Sequence, residues 1–210
     1  MLGEYSVIQI DTPDQTVNFS YPLNEHVFYP RLLSALCEGL YTMAAERNPN
    51  VVTMSSYAPS LQSLNFTNWT PNMIQFDALS TDTVRSASYW QQWLFAHYRG
   101  TETLPVTAST GQLNPLFWVA SIDEATDAIY VKVINTLNDT VPLNLQLDRS
   151  YQSVNGTILT ADDLNSFNFV HNQSQVIPRS ANGMDASKQA QGLLTWNVPK
   201  FSSTVLQLNC

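Results

Sequence analysis

Side chains able to do chemistry are sparse in this 210-residue sequence, and most stand without the company that chemistry needs. The histidines His26, His97 and His171 lie far apart with no ligand spacing, and no phosphate-cradling glycine loop or serine triad is present. No metal and no cofactor is therefore expected. His97 closes a helical stretch, where the helix dipole favours a cation and no functional reading is required. Glu4 is different: it follows Gly3 in a strand-like run, beside Tyr5 and ahead of a polar, aromatic loop. In an α/β barrel, functional side chains gather where strands end and the loops to helices begin. Spacing alone leaves two readings open, a site carboxylate or an edge glutamate without a role.

The elements that would hold Glu4 fall into two halves. Residues 3–10 carry Val7, Ile8 and Ile10 and suit a strand buried on both faces. Pro30 stands where a helix can begin, and Leu32, Leu33, Leu36, Leu40, Met43 and Ala44 recur at helical spacing up to Arg47-Asn48-Pro49. Val51 to Met54 resumes as a strand and runs into Ser55-Ser56-Tyr57-Ala58-Pro59. Residues 61–79 form a long loop, and a second helix spans roughly 82–98, with Gly100 as terminator. Beyond Pro105 the period changes to that of strands: residues 116–122, 128–134, 141–147, 157–159 and 203–208, with Asn155-Gly156 as a turn signal. The expected fold class is thus α/β plus all-β, with residues 1–104 as βαβα and residues 105–210 as a β-sandwich with its own core.

Composition excludes whole classes of function. The net charge is −8 with only nine Lys and Arg, so a nucleic-acid surface is not expected. No apolar run approaches the roughly 20 residues of a membrane span. Charged residues are 12% of the chain, about half the ~25% of an ordinary soluble domain, and amide and hydroxyl side chains take their place. Six Asn-X-Ser/Thr sequons, at Asn18, Asn65, Asn68, Asn138, Asn155 and Asn172, point to a secreted glycoprotein in which glycans supply solubility. No secretory leader opens the sequence. The expectation is therefore an extracellular protein of which this is a C-terminal piece. Cys37 and Cys210 are as readily free thiols as a disulfide.

Several ordered segments are similar to a known family. Gly3-Glu4-Tyr5-Ser6-Val7, Met43-Ala44-Ala45-Glu46-Arg47-Asn48, Val51 through Pro59, Trp69-Thr70-Pro71-Asn72-Met73-Ile74, Ser88-Tyr89-Trp90 through Arg99-Gly100, and the closing Phe201-Ser202-Ser203-Thr204-Val205-Leu206 occur in sequence. Together they resemble the α-L-arabinofuranosidases of glycoside hydrolase family 51, the fungal branch in particular.

The resemblance implies a (β/α)8 barrel followed by a C-terminal, jelly-roll-like β-sandwich, of which this chain would hold barrel strands seven and eight with their helices and then the sandwich. It implies hydrolysis of terminal arabinofuranosyl groups with retained configuration, an arabinofuranosyl-bearing polysaccharide or oligosaccharide as partner, and Glu4 as nucleophile. The family's acid/base glutamate, which follows an Asn near strand four, has no counterpart here. Glu25, Glu38, Glu46, Glu102 and Glu124 remain, with Glu38 and Glu46 on an outer helix, and none is a credible partner for Glu4. Tyr57, Trp69, Asn72 and Gln75 would stack on or hydrogen-bond to a furanose, although Tyr57 and Trp69 could equally pack one half against the other. The alternative function is a non-catalytic carbohydrate-binding or structural sandwich module.

Overall fold

The computed structural model describes residues 2–9, 29–64 and 71–210. Strand β1 (Leu2–Tyr5) and strand β2 (Ser55–Tyr57) run parallel, and helix α1 (Leu32–Glu46) lies in the crossover between them. The strand expected over residues 51–54 is a turn instead. Asn48 closes the helix end by accepting the N–H groups of Val51 and Val52 on its carbonyl, which keeps both out of the ladder and leaves Val51 exposed.

Within the expected long loop, β3 (Leu61–Ser63), β4 (Ile74–Phe76) and β5 (Val84–Arg85) form a small sheet in that order. Strands of two or three residues are too short to leave a period in the sequence. Helix α2 (Ala87–His97) begins later than expected because Ser86 caps it: its Oγ accepts the Tyr89 N–H at 3.2 Å and its hydroxyl donates to the Asn72 carbonyl at 2.9 Å.

The second half is a six-stranded antiparallel sheet built from β6 (Glu102–Leu104), β7 (Leu116–Asp123), β8 (Ala128–Asn135), β10 (Ser153–Thr160), β11 (Arg179–Ser180) and β13 (Ser202–Asn209), ordered β11-β10-β13-β8-β7-β6. A second, two-stranded layer pairs β9 (Val141–Gln146) with β12 (Leu193–Val198). Asn155-Gly156 is not a turn but lies inside β10. Glycine is needed there for clearance, since a Cβ would meet Ala181 Cβ at 2.8 Å.

The large sheet is buried on both faces, which explains the unbroken apolar run of β8. Ile129, Val131 and Val133 point into a core shared with Val141, Leu194, Trp196 and Val198 of the smaller layer. The opposite face, with Val119, Ile134, Leu159 and Val205, packs under Leu32, Leu36 and Met43 of α1 and Ala87, Leu94 and Phe95 of α2. Side chains alternate across a strand, so both cores are sealed by the same four strands, β7, β8, β10 and β13. The two helices therefore cover the sheet directly, and the strand β6 that joins them to it carries Thr103, whose hydroxyl donates to the Glu46 carbonyl at 3.0 Å. Among the described residues, no helix is long and apolar enough to cross a membrane.

Candidate active site

Glu4 sits on β1 with its side chain exposed. Its neighbour Tyr5 turns the other way, and the hydroxyl donates to Gln92 Oε1 of α2 at 2.6 Å while the ring packs on Tyr41 and edge-on against Tyr57. This is the alternation of a strand at work: one residue faces solvent, and the next anchors the strand to the layer beneath. Burial pushes the Tyr5 hydroxyl up to about 12, so it remains a hydrogen-bond donor at any working pH.

The other expected sugar contacts are placed differently. Tyr57 is buried, and its hydroxyl donates to Glu38 Oε1 at 3.1 Å. Asn72 and Gln75 are also buried, the first at the cap of α2 and the second in the middle strand of the small sheet, paired with Gln62 and Val84. Trp69 lies outside the described residues, as do Asn18, Asn65 and Asn68. The structure thus groups Tyr57 with Glu38 and Tyr5 behind β1, and leaves Glu4 on the open side.

Glu38 and Glu46 both lie on the expected helix, and both are turned inward. Glu38 is fully buried beneath the parallel strand pair, and its Oε1 accepts both the Tyr57 hydroxyl and, at 3.3 Å, the backbone N–H of Val7. Desolvation raises its carboxyl to about 8. The signal was a polar line at four-residue spacing: Ser34, Glu38 and Thr42 are all buried on one side of α1, and the Ser34 hydroxyl donates to Gln9 Oε1 at 2.8 Å. Residues three and four apart share a helix face, so Ser34 and Glu38 meet the segment that continues β1, while the Thr42 hydroxyl donates to the Glu38 and Gly39 carbonyls of its own helix.

Glu46 instead reaches the sheet, where its Oε1 accepts from Lys132 Nζ at 2.5 Å. Glu102 and Glu124 are exposed, on the edge strand and in the turn between β7 and β8. Of the described sequons, Asn138, Asn155 and Asn172 are exposed, and the two cysteines are free thiols.

Known proteins are similar to this chain. The family described as Alpha-L-arabinofuranosidase C-terminal domain matches residues 3–202. The chain is 31% identical over 208 residues to alpha-L-arabinofuranosidase A of Aspergillus niger, covering 99% of this chain and 29% of that protein. It is also 31% identical over 201 residues to a probable alpha-L-arabinofuranosidase A of Aspergillus oryzae, covering 94% of this chain and 30% of the relative. An arabinose-bound GH51 α-L-arabinofuranosidase superposes with a TM-score of 0.80 at 26% identity, over 98% of this chain and 31% of that one. The GH51 arabinofuranosidase of Xanthomonas axonopodis pv. citri shares the fold at a TM-score of 0.74 and 17% identity, over 99% of this chain and 40% of that one. The chain spans about 30% of the length of the curated relatives it matches.

Proposed function

The chain belongs to the family of α-L-arabinofuranosidase C-terminal domains, and from that premise we propose that it supplies the nucleophile-bearing end of a retaining α-L-arabinofuranosidase. The observation that carries this reading is an exposed glutamate, Glu4, on a parallel strand inside the matched stretch, while Glu38 is buried and Glu46 is bound to Lys132. In this reading β1, α1, β2 and α2 are the last two βα units of a (β/α)8 barrel. Residues 105–210 are the sandwich that follows them. In this reading Trp69 belongs to the wall around the sugar, while Tyr57, Asn72 and Gln75, all buried, support that wall from behind.

The chemistry follows from what a carboxylate can do at an anomeric carbon. Glu4 attacks that carbon and forms a glycosyl ester as the glycosidic C–O bond breaks. A second carboxyl group, roughly 5–5.5 Å from the first, gives its proton to the leaving oxygen and then takes one from the incoming water. Two displacements at one carbon leave the configuration unchanged. Glu102 lies on the edge strand β6 and Glu124 in the turn after β7, neither on the β1–β2 pair, and in this reading the second carboxyl group comes from another part of the assembled enzyme.

The 210-residue chain alone is expected not to hydrolyse an aryl α-L-arabinofuranoside. A chimera joining it to the preceding part of the Aspergillus niger relative is expected to do so, with the α-anomer of arabinose appearing first by proton NMR. Activity of the isolated chain, or a β-anomer as first product, sinks the reading. The extracellular assignment rests on the sequons. Expression in a secreting eukaryote should add glycans at the exposed Asn138, Asn155 and Asn172, and a mass unchanged by an N-glycosidase removes that support.

A further inference from the structure

We propose that Glu38 is a positioning residue that works as a neutral carboxylic acid, fastening the strand that bears Glu4 and the strand that bears Tyr57 to a single point on α1. Its relevance to catalysis rests on the reading of Glu4 as nucleophile; the clamp itself does not.

The geometry is that of a tie. One oxygen, Oε1, accepts from the Val7 backbone just beyond β1 and from the Tyr57 hydroxyl at the end of β2. These two strands pair with each other through few residues and with an irregular register, so the ladder alone defines their offset weakly. A shared acceptor beneath them defines it from below.

The protonated form follows from the surroundings. Glu38 has no exposed surface, and among the described residues no cationic side chain bears on it. An isolated carboxylate in such a place neutralises rather than remain charged. Its second oxygen, Oε2, is buried without a formed hydrogen bond, and so is the hydroxyl of Ser88, which α2 brings beside the carboxyl group. A proton on Oε2 gives each of these atoms a partner.

Among the described residues, the titratable groups facing Glu38 are Tyr5 from β1, Tyr57 from β2 and Cys37 on its own helix. The groups from α2 are the uncharged Ser88 and Gln92. Burial raises all three titratable neighbours, so none of them ionises before Glu38 as the pH rises. The sign is fixed by linkage. Between the ordinary 4.5 of an unfolded glutamate and about 8 in the fold, the native chain holds a proton that the unfolded chain has lost. Stability attributable to Glu38 is full below that window, falls as pH rises through it, and is level above.

The test is the pH dependence of unfolding of the full chain and its variants. Between pH 5.5 and 7.5 the unfolding constant of the native chain should rise roughly tenfold per pH unit relative to that of Glu38→Gln, about a hundredfold in all. Tyr57→Phe removes a donor that favours the ionised form, so the sloping region should extend to higher pH. This variant carries the test if Glu38→Gln does not fold. Parallel profiles for the native chain and Glu38→Gln, or an unmoved slope in Tyr57→Phe, overturn the proposal. Glu4→Gln should leave the profile as it is, so a failure of the nucleophile reading and a failure of the clamp are separate results.

Discussion

Glu4→Gln in the chimera described above is expected to lower kcat/KM on an aryl α-L-arabinofuranoside by a factor on the order of 10⁴–10⁶, the scale of losses when a member of a catalytic unit is removed. The amide has nearly the shape of the carboxylate but cannot form the glycosyl ester. The exposed position of Glu4 makes this a clean substitution, because its side chain is not part of either core and its removal leaves the contacts of Tyr5 in place. Melting temperature and circular dichroism should therefore be unchanged. Azide added to a Glu4→Gly variant should enter from the vacated side and yield the inverted glycosyl azide. Near-normal turnover in Glu4→Gln would show that the nucleophile is another group, and loss of fold in that variant would show that Glu4 is structural.

Much of the frame that holds Glu4 could be read from periodicity, and the failures share one cause. Helix α1 and strands β7, β8, β9 and β13 are long enough for a period of 3.6 or 2 to register, and all were expected where they occur. Strands β3, β4 and β5 are too short to do so. β12, with Trp196 buried in it, was not recognised as a strand, because its alternation is meaningful only opposite β9, a partner about fifty residues away.

The same distinction separates the parts of the site. Glu4 stood out because its neighbours Gly3 and Tyr5 are local to it. The roles of Glu38 and Glu46 depend on what lies across from each face of α1, a strand pair on one side and the large sheet on the other. An apolar stripe marks one face of a helix as buried. It is silent about a second, polar face buried against strands that supply their own donors. The turn read at Asn155-Gly156 failed in a related way: the glycine answers to a side chain packed over it, Ala181, and not to the local backbone.

Glu46→Ala is expected to destabilise the chain by about 3 kcal/mol, because removing one partner of a buried ion pair strands the other. Lys132 is only 1% exposed, and beyond Glu46 it has the Phe95 carbonyl at 3.1 Å and the Phe95 ring at 4.5 Å. Burial already pulls its ammonium below the ordinary lysine value, and the attraction of Glu46 opposes that. Without the carboxylate, the lysine must shed its proton or draw water into a packed core. For a chain of this size the loss amounts to a fall in melting temperature of roughly 6–12 °C.

Lys132→Met should cost less, about 1 kcal/mol, since it keeps the volume against Phe95 and leaves behind Glu46, whose side chain is 30% exposed and can find water. The double variant should then be more stable than Glu46→Ala alone, which additive effects would not allow. The melt should also stay a single transition in every variant. Helices α1 and α2 and the six-stranded sheet share one core, and the ion pair lies within that seam, so weakening it lowers the stability of both halves together. Additive losses in the double variant would place Lys132 and Glu46 in independent roles, and two separate transitions would mean that the sheet does not need its helical cover.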